Sequence, residues 1–203
     1  MYLTPLAEGT VWTLALFFCS AFLAVALGLV VCLCRLSPSR LLSRGARFYI
    51  EVIRGTPLLL QLFYIYYGLP EMGVVINGFV AGVLGLTLNF GAYLAELFRS
   101  GIQSVDTGQY EAARALGLRK VQRLRRIVLP QALRTVFPAL GNYALVLIKE
   151  TSLVAVISVY ELMRAGEMLA GATFQALTVY TMVGVIYFCL LYTSDAADEG
   201  LGV

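Results

Sequence analysis

The chain has 203 residues, 60% of them hydrophobic and only 13% charged, with a mean hydropathy of +0.82. Soluble domains run near half apolar and a quarter charged, so this balance excludes an ordinary water-soluble protein and points to lipid. Fifteen Lys and Arg against twelve Asp and Glu leave a net charge of +3; with no histidine and four cysteines that form no C-x-x-C, neither a zinc site nor a disulfide framework has a basis.

The first apolar stretch, 11–34, carries no charge and exceeds the roughly twenty residues a hydrocarbon core requires. It lacks a basic leader and is followed by arginines instead of a small-residue cleavage site, so it reads as a retained helix. Four more apolar stretches follow at 57–69, 75–95, 135–148 and 173–192, of which 57–69 and 135–148 are short for a crossing. The expectation is an all-α integral membrane protein with about five transmembrane helices. Arg35, Arg40, Arg44, Arg47 and Arg54 lie between the first two stretches; Arg99, Arg114, Arg119, Lys120, Arg123, Arg125, Arg126 and Arg134 lie between the third and fourth. The positive-inside rule places both basic segments in the cytoplasm, with the N-terminus outside and the C-terminus inside. Arginines that flank lipid-spanning segments argue against nucleic-acid binding. Gly82, Gly85, Gly91, Ala92 and Ala95 mark the third helix as the central one, since small residues let neighbouring backbones approach.

Between the third and fourth stretches lies a polar, basic island, 104–130. Asp106 can cap a helix opening at Thr107, with Gln109 reaching back, and Gly117 suits the left-handed residue that closes it. The short helix carries Glu111 as an exposed anchor and Ala112, Ala113 and Ala115 as a low profile for a partner's groove. From Leu118 a second segment repeats Leu118, Val121, Leu124 and Ile127 or Val128 among arginines until Pro130 stops or kinks it. Taken without the alanine turn, this second segment also reads as an interfacial helix on anionic headgroups, with Glu111 paired to Arg114.

Just past the fourth stretch Lys149, Glu150, Thr151 and Ser152 fall at membrane depth, where unpartnered polar groups are costly and mark substrate paths. The opposing reading has Lys149 and Glu150 finding local partners or snorkelling, and the two hydroxyls bonding back to their own helix. Asn89, Gln61 and Tyr93 are further path candidates, or interhelical glue. Ser158 and Glu161 have the spacing of a capping box for a short helix that Gly171 can end, either an outer gate or a connector. Residues 193–203 form an acidic tail without a cation, where an inner-face end is normally basic, and are read as a non-native or truncated end beyond a transmembrane domain of 1–192.

The pattern Glu111-Ala112-Ala113, three residues, Gly117, nine residues, Ile127-x-Leu129-Pro130 resembles the coupling loop of ABC importer permeases. The segments beginning Arg54-Gly55-Thr56-Pro57, Tyr66-Tyr67-Gly68-Leu69-Pro70, Ala92-Tyr93-Leu94-Ala95-Glu96 and Lys149-Glu150-Thr151-Ser152-Leu153 narrow the likeness to the polar amino-acid uptake branch. The resemblance implies a permease subunit of a bacterial cytoplasmic (inner) membrane importer, driven through Glu111, Ala112, Ala113, Gly117, Ile127, Leu129 and Pro130 by a separate ABC ATPase. It implies a second permease, homo- or heterodimeric, an extracytoplasmic solute-binding protein and an amino-acid substrate. ATP and magnesium would sit on the ATPase, since this chain has no G-x-x-x-x-G-K-[ST] loop and no catalytic constellation of its own. A secondary transporter of a small polar solute is the alternative, although no inverted repeat is visible.

Overall fold

The computed structural model describes the backbone of residues 2–200 and the side chains of 2–192, and every regular element among them is a helix. The acidic tail 193–203 lies outside those fully described residues. Helix α1, Leu3–Arg35, starts ahead of the expected 11, because Pro5 in its first turn removes an N–H that no helix carbonyl would have taken. Its buried positions, among them Leu6, Gly9, Thr13, Leu16, Ser20, Ala24 and Gly28, recur every three or four residues and form one stripe of mostly small side chains.

From Leu16 onward that stripe lies on the central helix α4, Gly78–Gln103, whereas Leu6 and Gly9 face the segment 161–165. Asn77 opens α4 by accepting the Val80 N–H at 2.8 Å. A Cβ on Gly28 would stand 2.9 Å from Leu94 Cβ and 3.2 Å from Ala95 N, so the two helices meet backbone to backbone there. Across α4, Gly82 receives Val154, Gly85 receives Leu62, and Gly91 receives Leu27. The glycines thus put α4 in contact with three different elements, which is why its apolar window is the most enclosed of the candidate spans.

The basic stretch after α1 is itself helical, a feature the charge count did not predict. Helix α2, Arg40–Arg54, buries Ala46 and Ile50 and exposes its arginines, and helix α3, Leu58–Glu71, follows at an angle of 104°. The bend falls at Gly55-Thr56-Pro57: Pro57 is extended at φ −63° and ψ 140°, and the residue before a proline avoids helical backbone. Helix α5 is Thr107–Ala115, helix α6 the long run Lys120–Ile157, helix α7 Leu162–Thr173 and helix α8 Ala176–Gly200.

Both α3 and α6 contain a widened π-turn, Tyr64–Gly68 and Leu124–Val128, and in each the second residue after the turn is a proline, Pro70 or Pro130. A proline donates no N–H and crowds the carbonyl four residues back; one extra residue in the turn relieves both. Pro130 therefore neither stops the segment nor separates it from the next apolar stretch: the helical run continues to Ile157, ending in a tighter 3₁₀ arm, Thr151–Ile157.

The outer-turn expectations need correction. Ser158 stands in the left-handed region at φ 61°, and Glu161 is the N-cap of α7, accepting the Met163 and Arg164 N–H groups. Gly171 lies inside α7, which closes instead on Phe174 at φ 56°. Ser158 is thus the residue that ends the arm, and the cap sits three residues later than the spacing implied.

Three helices, α1, α4 and α6, are long and apolar enough to cross a membrane, and the bent pair of α2 and α3 gives up to four. The apolar part of α8, Ala176–Tyr192, occupies the place of the fifth expected stretch but is shorter.

Candidate functional site

The island between α4 and α6 folds as an exposed rod. Asp106 accepts the Gly108 N–H at 2.6 Å and its own carbonyl takes the Gln109 N–H at 3.1 Å, so α5 opens with two of its otherwise unpaired donors satisfied. It closes with a Schellman pair: the Gly117 N–H donates to Arg114 O at 2.9 Å and the Leu118 N–H to Ala113 O at 3.1 Å. That closure demands a left-handed residue, and Gly117 has φ 71°. Ala113 is buried at 1%, whereas Glu111 and Ala112 face outward and Tyr110 donates to Ile102 O at 3.3 Å, tying the rod to α4. A small cluster of Val105, Val128 and Ala132 anchors both ends of the island to the bundle.

On either side of Gly117, Leu116 and Val121 are 77% and 74% exposed, with Leu124 and Leu129 also outside, among Arg119, Lys120, Arg123, Arg125 and Arg126. Ile127 is half-buried and Pro130 exposed. Five of the seven expected coupling residues, Glu111, Ala112, Gly117, Leu129 and Pro130, are therefore exposed, and the other two, Ala113 and Ile127, are buried and half-buried.

The expected path residues divide into two places. Asn89, Tyr93 and Glu150 line one cavity of about 580 Å³, together with Arg54, Thr56, Tyr143 and Leu153. The Arg54 guanidinium lies 5.1 Å from the centroid of the Tyr93 ring, a cation–π distance, and Tyr143 flanks Tyr93 at 6.2 Å. Gln61 is structural: the two N–H groups of its Nε2 are shared among Ile53 O at 2.8 Å, Thr56 O at 3.1 Å and Thr56 Oγ1 at 2.8 Å, while its Oε1 accepts from Asn89 Nδ2 at 3.1 Å. One amide thereby fixes the bend between α2 and α3 to the central helix, and so fixes Arg54 at the cavity wall.

Lys149 and Ser152 face a second cavity, of about 500 Å³, with Met163, Tyr180 and Tyr187. Consecutive residues on a helix point about 100° apart, so Lys149 and Glu150 serve different spaces. Ser152 donates to Lys149 O at 2.7 Å and the buried Thr151 to Ile148 O at 2.6 Å, so both hydroxyls bond back to their own helix. Arg54 and Tyr143 were missing from the sequence-based set. The sequence marks Arg54 as a topology charge and as the head of the Arg54-Gly55-Thr56-Pro57 segment, not as a path residue; its position immediately before Gly55-Thr56-Pro57 is the available signal. Nearer the island, Glu96 and Arg99 pair at 2.6 Å, with Arg99 also bonded to Gln103.

A bundle built on a small-residue central helix, with an exposed short rod between two long helices and a polar cavity beside the bend, defines the membrane subunit of an ABC transporter. The chain belongs to the family of binding-protein-dependent transport system inner membrane components, whose pattern matches residues 11–199. It is 39% identical over 194 residues to a probable amino-acid ABC transporter permease, y4tG, of Sinorhizobium fredii, covering 96% of this chain and 84% of that one. It is 40% identical over 185 residues to the arginine transport system permease ArtQ of Bacillus subtilis, with 91% and 84% covered. The fold matches a crystal structure of an amino acid ABC transporter with histidines at a TM-score of 0.94 and 39% identity, covering 98% of this chain and 94% of the other. The protein is a multi-pass membrane transport subunit, not a catalytic enzyme.

Proposed function

We propose that this chain forms one half of the membrane pathway of an ATP-driven amino-acid importer in the bacterial cytoplasmic (inner) membrane. It crosses the bilayer five times, with α1, the α2–α3 pair, α4, α6 and α8, its N-terminus outside and its C-terminus inside. Residues 1–192 form the transport domain and 104–130 its coupling loop. In this reading Glu111, Ala112, Ala113, Gly117, Ile127, Leu129 and Pro130 form or support the surface that seats in a partner ATPase, which alone binds ATP and magnesium. A second permease completes the pathway and an extracytoplasmic solute-binding protein delivers the substrate. The exposed Leu116, Val121 and Leu124 among five cations suit a cleft with an apolar floor and an acidic rim.

The observation that carries the substrate reading is the cavity that brings Arg54 and Glu150 together without an ion pair between them. A zwitterion presents one carboxylate and one ammonium, and a site with a guanidinium and a carboxylate on facing elements matches both. Asn89 and the Tyr93–Tyr143 pair add a hydrogen-bonding wall and an aromatic one. Lys149, Thr151 and Ser152 stand outside this site, and Gln61 supports it from behind.

The test is uptake by proteoliposomes holding this permease, the ATPase and the binding protein. Glu150→Gln and Arg54→Gln should each raise the apparent KM about tenfold or more, the loss of one charge-assisted contact of about 1.5–3 kcal/mol. Lys149→Gln should not. Equal effects at 149 and 150 would remove the cavity as the substrate site.

A further inference from the structure

Glu161 is fully buried, at 0% exposure, between α1, α7 and α8, and among the described residues no cation lies within ion-pair distance of it. Its carboxylate instead collects three donors: Met163 N–H at 2.8 Å, Arg164 N–H at 2.6 Å and Tyr187 Oη–H at 3.1 Å. Beside it Thr13, also at 0%, accepts the Leu162 N–H at 3.0 Å. These polar contacts join the first residues of α7 to α1 and α8, while Gly9 of α1 packs so closely on the turn that an added Cβ would meet Leu162 Cα at 2.9 Å and Glu161 O at 3.0 Å.

The hub stands at the end of a lever. Glu150 and Leu153 line the transport cavity; the 3₁₀ arm Thr151–Ile157 runs from them to the left-handed Ser158; Glu161 follows three residues on. A 3₁₀ turn at the end of a helix commonly connects it to the next element, and where its far end is held decides where its near end can go. We propose that Glu161 is a positioning residue for transport: with Thr13 and Tyr187 it pins the outer end of the arm and thereby sets the cavity wall at Glu150 and Leu153. The uptake arm of the test below rests on the cavity reading given above; the exchange arm does not.

Burial pushes the Glu161 carboxyl up to about 7, against the pull of its three hydrogen bonds. The titratable and charged groups around it are Tyr187 on α8, which also lines the cavity holding Lys149 of α6, Glu8 on α1, and Tyr160, Arg164 and Glu167 on its own stretch, the last two paired at 2.9 Å. A carboxyl that binds its proton more tightly when pinned than when released makes the pin strongest in acid. Release then becomes easier as pH rises from the ordinary carboxyl range to about 7, and levels off above it.

Hydrogen exchange of the α7 amides, measured on the assembled transporter for the native protein and for Glu161→Gln at each pH, isolates this effect because intrinsic exchange chemistry cancels in the ratio. The ratio of native to variant exchange should rise about tenfold per pH unit between about 5 and about 7, then level. Tyr187→Phe, which removes a donor to the ionised carboxylate, should move the levelling point to higher pH. A ratio that stays flat overturns the pin. In proteoliposomes with the ATPase and binding protein, uptake of a radiolabelled mixture of the common amino acids per ATP hydrolysed should fall about tenfold or more in Glu161→Ala, which removes the acceptor that Glu161→Gln, the counterpart of the protonated carboxyl, keeps. The native-to-variant uptake ratio should also vary over the same pH window. Unchanged uptake with a pH-dependent exchange ratio would overturn the positioning role, whereas failure of Glu150→Gln to alter uptake would count against the cavity alone. If Glu161→Gln does not assemble, Tyr187→Phe against the native protein decides by the same shift, whose absence overturns the proposal.

Discussion

Gly117 offers the sharpest test of the coupling rod, because its chemistry separates backbone from packing. A Cβ built on it meets no atom within 4 Å, so any substitution has room, yet φ is +71°. The whole cost is therefore conformational: for a residue with a Cβ the left-handed region lies about 1–2 kcal/mol above the right-handed one, less for Asn, whose side chain bonds locally. That energy opposes the two Schellman bonds that close α5, so the docked form of the rod should drop about 5- to 30-fold in Gly117→Ala. Gly117→Asn should lose less and Gly117→Val more. Gly45, in the middle of α2 and equally open, has ordinary helical backbone, and Gly45→Ala should be neutral or stabilising by about 0.5–1 kcal/mol. Uptake per ATP hydrolysed in proteoliposomes with the partner ATPase reads the effect, and the order Gly, Asn, Ala, Val follows neither volume nor polarity. An alanine variant as well coupled as the native protein, or an asparagine variant worse than alanine, would refute the reasoning.

The remaining predictions concern the frame behind the two surfaces. Gly28→Ala should lower the melting temperature in detergent by more than Gly85→Ala, although both overpack by about 1–3 kcal/mol. At Gly28 the neighbours at 3.2 Å are backbone atoms of α4, whereas at Gly85 the three nearest atoms all belong to the side chains of Leu62 and Ile65. Gln61→Glu should cost about 1–3 kcal/mol, since a carboxylate cannot donate to Ile53 O or Thr56 O; it should also weaken substrate affinity by loosening Arg54, and normal affinity in that variant would detach the bend from the cavity. Stability should also depend on pH through Glu161: a carboxyl at about 7 when folded and 4.5 otherwise contributes stability that is complete below about 4.5 and lost as pH rises through about 7. The loss is on the order of 3 kcal/mol, read as a melting temperature that falls across that window in the native protein and stays level in Glu161→Gln.

Much of the rod was legible because its signals are local. Asp106 before a helical run and Gly117 after it act through their own neighbours' N–H groups, so the letters alone carry the geometry. The central place of α4 was legible for a related reason: its glycines admit other backbones wherever those come from. The cavity was only half legible. Glu150 is far in sequence from Asn89 and Tyr93, and the wall that Arg54 and Thr56 add depends on a 104° bend between α2 and α3 that the charge count concealed. Arg54 was visible as a cation but not as a wall, and Lys149 and Glu150 looked equivalent until the helix turned them apart. Ser158 misled because its spacing to Glu161 is that of a capping box, while its left-handed backbone makes it the end of one element instead of the start of the next.

The two π-turns suggest how a push on the rod reaches the cavity. Pro130 sits at the root of α6 and Pro70 near the end of α3, each just after a turn that leaves the backbone wider and its hydrogen bonds fewer than in a regular helix. Force applied at Leu116, Val121 and Leu124 therefore enters α6 at a compliant turn and then runs through a continuous helix, which holds Pro138 in its interior, to Glu150. If that route is correct, converting the turn to regular helix should change the coupling ratio without disturbing the rod itself. Pro130→Ala removes the reason for the widened turn and should tighten it, raising basal ATP hydrolysis relative to uptake while the exchange of the α5 amides stays native. A variant that loosens α5 instead would place the function of Pro130 in holding the rod, and would leave the compliance of the turn without a part in coupling.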